Sequence, residues 1–112
     1  MVKMILLLKR RDGMSFEDFV AYYENHHSVL GKKILPTAIK YQRRFLKPIG
    51  DAMPDSYDCI TEVWFADQAA MEAALASAAT PTNAALLAED EAKLFDRSKI
   101  RFYVVDQESP AD

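Results

Sequence analysis

His26 and His27, the only two histidines of the chain, stand side by side in "AYYENHHSVLG" at 21 to 31, at the end of an aromatic-rich helical stretch. An imidazole changes charge near neutral pH, so either ring could serve as a base, a ligand or a proton relay. At about 100° per residue, Phe16, Phe19, Val20, Tyr23 and Leu30 form one apolar stripe. His27 then falls roughly 20° from the centre of that stripe and His26 roughly 80° from it. The spacing predicts that His27 points inward, one turn beyond Tyr23, while His26 lies on the flank in reach of water. Two roles fit an inward His27: a core histidine with its hydrogen bonds satisfied, or a base facing a cavity.

Glu62 is the second unusual position, a carboxylate in the middle of the strand-like stretch "YDCITEVWF" at 57 to 65. Strict alternation puts it on one face with Asp58, Ile60 and Trp64. If that face is enclosed, burial raises the carboxyl pKa toward the range useful for proton transfer. Cofactor-free proton transfer needs one group to take a proton and another to return it, so His27 and Glu62 are expected to face one shared pocket. A Glu62 paired to a strand arginine such as Arg43 or Arg101 is the other reading. Tyr41 could orient an oxygen in the same cavity, with Tyr23, Asp58, Ile60 and Trp64 as its walls. Cys59 stands alone, so it forms no disulfide within the chain and no cysteine-based metal cluster, and it reads as a small buried hydrophobe. Adjacent histidines on a helix diverge, and no zinc spacing, phosphate loop or dinucleotide fingerprint occurs, so no metal or cofactor is expected.

Positioning these residues requires elements that the sequence marks clearly. "VKMILLLK" at 2 to 9 is a strand, apolar on both faces, and Ser15 with Asp18 three residues on starts the first helix. "AIKYQRRFLK" at 38 to 47 is a basic strand suited to a sheet edge, and the Pro/Gly/Asp-rich segment after it could act as a lid. Asp67 caps a second helix with the stripe Met71, Ala74, Leu75 and Ala78, Thr80-Pro81 restarts a third helical segment, and "KIRFYVVD" closes the chain as a strand. The order is strand, helix, strand, strand, helix, strand, an α+β arrangement with its helices on one face of an antiparallel sheet. Helices cover one face only, yet the first and third strands are apolar on both, so a homodimer that buries the second sheet face is expected.

The chain has 112 residues, enough for one domain, read as 1–107 with a loose tail at 108–112. Half of the residues are hydrophobic, 28% are charged and the net charge is −3, with a pI near 5.3. No broad positive field is available for a phosphate backbone, so nucleic acid is not an expected partner. The longest apolar run, "MILLL", is far short of a membrane span, which predicts a cytoplasmic protein with no membrane partner.

"FEDFVAYYENHHSVL", "YDCITEVWF" and the final "FYVVDQE" together resemble the EthD domain of the dimeric α+β barrel superfamily. In that family the helix ends in an aromatic pair, a few polar residues and a histidine, which corresponds to His27. Val29 stands where the family usually carries proline, and Cys59 replaces a common glycine. The resemblance implies a ferredoxin-like βαββαβ protomer whose sheet pairs with that of a second copy. It also implies a cofactor-independent lyase or isomerase acting on a small hydrophobic or aromatic catabolite, in degradation or a polyketide-type pathway. The alternative is a non-catalytic ligand-binding or accessory protein serving a neighbouring oxygenase system.

Overall fold

A computed structural model describes all 112 residues. Four strands form one antiparallel sheet: β1 (Val2–Leu8), β2 (Ala38–Phe45), β3 (Cys59–Phe65) and β4 (Arg101–Val104), in the order β2-β3-β1-β4. The two strands that read as apolar on both faces, β1 and β3, are the two inner strands. The basic β2 lies at an edge, where lysine and arginine discourage pairing with another chain. Four helices lie on one face: α1 (Phe16–Tyr22), α2 (Ser28–Ile34), α3 (Gln68–Ala78) and α4 (Pro81–Ala92). Ser15, Asp67 and Thr80 each accept a backbone N–H with their side-chain oxygens and so start α1, α3 and α4.

Between α1 and α2 the helix widens into a π turn over Tyr23–His27. The sequence shows why the turn is stable. The Ser28 N–H reaches back to the Tyr23 carbonyl, which frees the Glu24 carbonyl, and the Ser28 hydroxyl donates to that carbonyl at 2.8 Å. The wider turn also has a geometric effect. Residues four apart overshoot a full α-helical turn by about 40° each time, so Phe19, Tyr23, His27 and Gly31 would drift off one face. Unwinding by one residue keeps all four directed at the sheet, and Phe19, Tyr23, His27 and Gly31 are all buried.

Alternation along β3 is complete: Cys59, Thr61, Val63 and Phe65 are buried under the helices, while Ile60, Glu62 and Trp64 face the other way. Phe19 packs edge-on against Tyr23, Phe45 and Phe95, with ring centroids about 6 Å apart, and locks the first helix to the sheet and to the end of α4. The opposite sheet face carries no helix. Ile5 and Leu7 of β1 pair with Glu62 and Ile60 of β3 and with Tyr103 and Arg101 of β4, so this face is a mixed apolar surface. Trp64 lies there between the ammonium groups of Lys3 and Lys40, 4.4 and 4.3 Å from its ring centre. No helix is long and apolar enough to cross a membrane.

Candidate active site

A cavity of about 460 Å³ opens between the helices and the sheet. Its floor comes from alternate residues of the strands, including Met4, Leu6, Leu8 and Val63, and its outer wall comes from α3 and α4 through Leu75, Ala84 and Leu87. Almost every lining group is apolar; the polar exceptions are Tyr23, Tyr41, His27, Glu91 and Arg97. A slot of this composition fits a hydrophobic molecule with few oxygens.

His27 is held in that slot from behind. Its Nδ1 lies 2.8 Å from Asp90 Oδ2, and its ring stands edge-on to Phe95 and Tyr23 at 5.1 and 5.3 Å. An ionised carboxylate can only accept, so Nδ1 carries the hydrogen and donates it, which leaves the lone pair of a neutral ring on Nε2. Nε2 has no partner within the protein and is not occluded. Asp90 is fixed in turn by the Tyr22 hydroxyl, which donates to its other oxygen at 2.5 Å. Burial pushes the Asp90 carboxyl upward, but the hydrogen bonds from Tyr22 and His27 outweigh it and hold the group below the usual carboxylate range. Burial, with the hydrogen bond to Asp90, pushes the Tyr22 hydroxyl up to about 12, so it remains a donor at neutral pH.

Across the slot, the Tyr23 hydroxyl is 2.6 Å from Thr61 Oγ1 and 3.4 Å from the Tyr41 hydroxyl. Burial raises both tyrosines above their ordinary pKa, so both stay protonated. Arg43 lies over the Tyr41 ring at 5.0 Å and donates through Nε and Nη2 to the two carboxylate oxygens of Glu24, at 2.9 and 2.8 Å, which ties the π turn to β2. The Tyr41 hydroxyl fits only because Gly31 has no side chain: a Cβ there would stand 2.8 Å from that oxygen. Gly31→Ala is therefore expected to push Tyr41 aside and cost about 1–3 kcal/mol, read by urea denaturation. An unchanged midpoint would show that the ring moves freely.

The helical phase predicted for the two histidines is observed, with His27 buried and His26 exposed against Tyr22. Tyr23 and Tyr41 join His27 at the cavity. Glu62 does not, and the expected shared pocket is corrected. Glu62 pairs in register with Ile5 on the helix-free face, and Arg44 holds it at 2.8 Å, in place of the Arg43 or Arg101 expected from the sequence. The His27 cavity lies between the helices and the sheet face to which β3 turns Cys59, Thr61 and Val63, so the sheet itself separates Glu62 from the imidazole. Ile60 and Trp64 share the Glu62 face, and Asp58 binds the Arg10 backbone N–H at 2.9 Å beyond the end of β1. Burial pushes the Cys59 thiol up to about 11, in keeping with an unreactive core residue. The loop at 47–56 contributes nothing to the cavity wall. Asp90 and Glu91 escaped the sequence reading, because "LLAEDEA" has the look of any solvated helix face, and Tyr22 and Arg97 carry no local signal that links them to it.

No curated protein sequence matches the chain. Solved structures share its fold. An EthD family protein from Bacillus halodurans superposes with a TM-score of 0.68 at 19% identity, covering 96% of this chain and 99% of that one. An EthD-like protein from Ralstonia eutropha gives 0.65 at 18% identity, over 93% and 88% of the two chains. A dimeric protein with a ferredoxin-like fold from Bacteroides fragilis gives 0.57 at 14% identity, over 93% of each. The family model for the EthD domain matches residues 11–98, which hold the first helix, the π turn, His27 and Asp90. The chain, a ferredoxin-like α+β domain, thus belongs to the EthD domain family.

Proposed function

We propose that this protein binds a small hydrophobic or aromatic carbonyl compound in the cavity and removes a proton from it with His27 Nε2, without a bound cofactor. The observation that carries this reading is one imidazole with Nδ1 committed to Asp90 and Nε2 free inside an apolar slot. A fixed tautomer and orientation leave the lone pair aimed at the ligand, and a dry wall strengthens its interaction with a polarised C–H bond. Tyr41, kept protonated, donates to the ligand oxygen on which negative charge gathers. The resulting enolate can expel a leaving group or take its proton back at another carbon, which is lyase or isomerase chemistry of a catabolic kind.

The working unit is a homodimer, placed in the cytoplasm. Ile5, Leu7, Ile60 and Trp64 lie on a sheet face without helices, and a second copy of the same face would cover them. The dimeric Bacteroides fragilis protein of the same fold supports that assembly.

Proton exchange tests the chemistry. In D2O, the wild-type protein is expected to speed incorporation of deuterium beside the carbonyl of allyl phenyl ketone, followed by proton NMR, and His27→Gln is expected to abolish the acceleration. Saturable ketone binding with no exchange would remove the base and leave a carrier that delivers hydrophobic molecules to another enzyme.

A further inference from the structure

With Glu62 on the far face, the cavity has a base but needs a group to deliver a proton elsewhere on the ligand. We propose that Glu91 is that group, and that the two together carry out a 1,3-proton shift on an apolar β,γ-unsaturated ketone or lactone. This rests on the reading of His27 as the base.

Glu91 follows Asp90 directly on α4, so the two side chains leave the helix about 100° apart. That separation gives them different surroundings. Asp90 reaches behind His27 to Nδ1, whereas Glu91 lines the cavity that Nε2 faces. Glu91 is the single carboxyl group on the cavity wall, and it has no close partner: its one ion pair, to Arg97, spans 4.0 Å. Burial raises its pKa above the ordinary carboxyl range, against the opposing charges of His27 and Arg97, which is the direction an acid requires. The surrounding wall offers only the tyrosine hydroxyls and Arg97 as further polar contacts, which favours a ligand with one or two oxygens and no other charge.

The proton count closes. His27 Nε2 takes a proton from the carbon between the carbonyl and the alkene, and the C–H electron pair becomes a dienolate whose oxygen faces Tyr41. The Glu91 carboxyl then gives its proton to the far alkene carbon, the double bond moves into conjugation, and the carbonyl re-forms. His27 is left protonated and Glu91 ionised. Transfer of that proton from His27 to Glu91 through cavity water restores both, with no oxidant or reductant consumed.

Allyl phenyl ketone separates the two roles, because exchange beside the carbonyl needs His27 alone whereas formation of phenyl propenyl ketone needs both groups. Glu91→Gln is expected to lower propenyl ketone formation relative to exchange by about a hundredfold or more. His27→Gln is expected to lose both. Glu91→Asp, which keeps the carboxyl on a shorter arm, should recover part of the isomerisation, and that recovery excludes simple misfolding. Isomerisation by Glu91→Gln at the wild-type rate would overturn the assignment of Glu91 and leave the His27 reading intact. A wild-type protein that catalyses neither process would remove the base, and the role of Glu91 with it.

Discussion

Asp90→Asn is expected to reduce His27-dependent proton exchange by about 10²–10⁴-fold while ligand binding in the cavity stays nearly unchanged. The reason is a reversal of hydrogen-bond polarity. Tyr22 donates to one oxygen of Asp90 and so keeps an oxygen at that position, which turns the new amide NH₂ toward His27. Nδ1 must then accept, the ring proton moves to Nε2, and the lone pair leaves the cavity. The substitution should also cost about 1.5–3 kcal/mol of stability at neutral pH, the usual value of hydrogen bonds to a charged group. Because the folded-state pKa of Asp90 lies below its ordinary value, that advantage of the wild type is present above the unfolded pKa and disappears as pH falls through the folded one. Urea denaturation of both proteins across acid and neutral pH measures it. Retained exchange in Asp90→Asn would show that the ring is oriented by packing against Phe95 and Tyr23 instead.

Ile5→Asp is the second large effect expected, a shift from dimer to monomer with a loss of about 2–5 kcal/mol of association energy. Ile5 lies on an inner strand in the middle of the helix-free face, between Glu62 and Tyr103, and is only partly buried within one chain. A carboxylate there stands directly opposite Glu62, which repels it, so a partner sheet could close over it only by burying a second negative charge beside the first. Trp64 is a poorer test, since Lys3 and Lys40 on either side would neutralise an introduced carboxylate. Sedimentation at micromolar concentration distinguishes the outcomes: wild-type protein that is already monomeric would refute the second-sheet argument. A dimer unaffected by Ile5→Asp would place the contact on another surface.

Sequence alone determined the elements, their order and the class of fold, because each rests on local periodicity and capping: alternation in β1 and β3, Ser15, Asp67 and Thr80 at helix starts. It also determined which histidine turns inward, since neighbours on a helix are separated by an angle that needs no tertiary information. The packing alone decided on which side of the sheet the cavity opens. Alternation puts Glu62 on one face of β3 with Ile60 and Trp64, but that pattern does not show that the pocket facing His27 is walled by the other face. The partners of His27 were equally hidden. Asp90 lies 63 residues along the chain from it, in a helix whose composition resembles any solvent-facing one, and only the docking of α4 against the π turn brings the carboxylate to the ring. Local interactions write the elements into the sequence, whereas a catalytic pair drawn from two elements exists only where packing makes them meet.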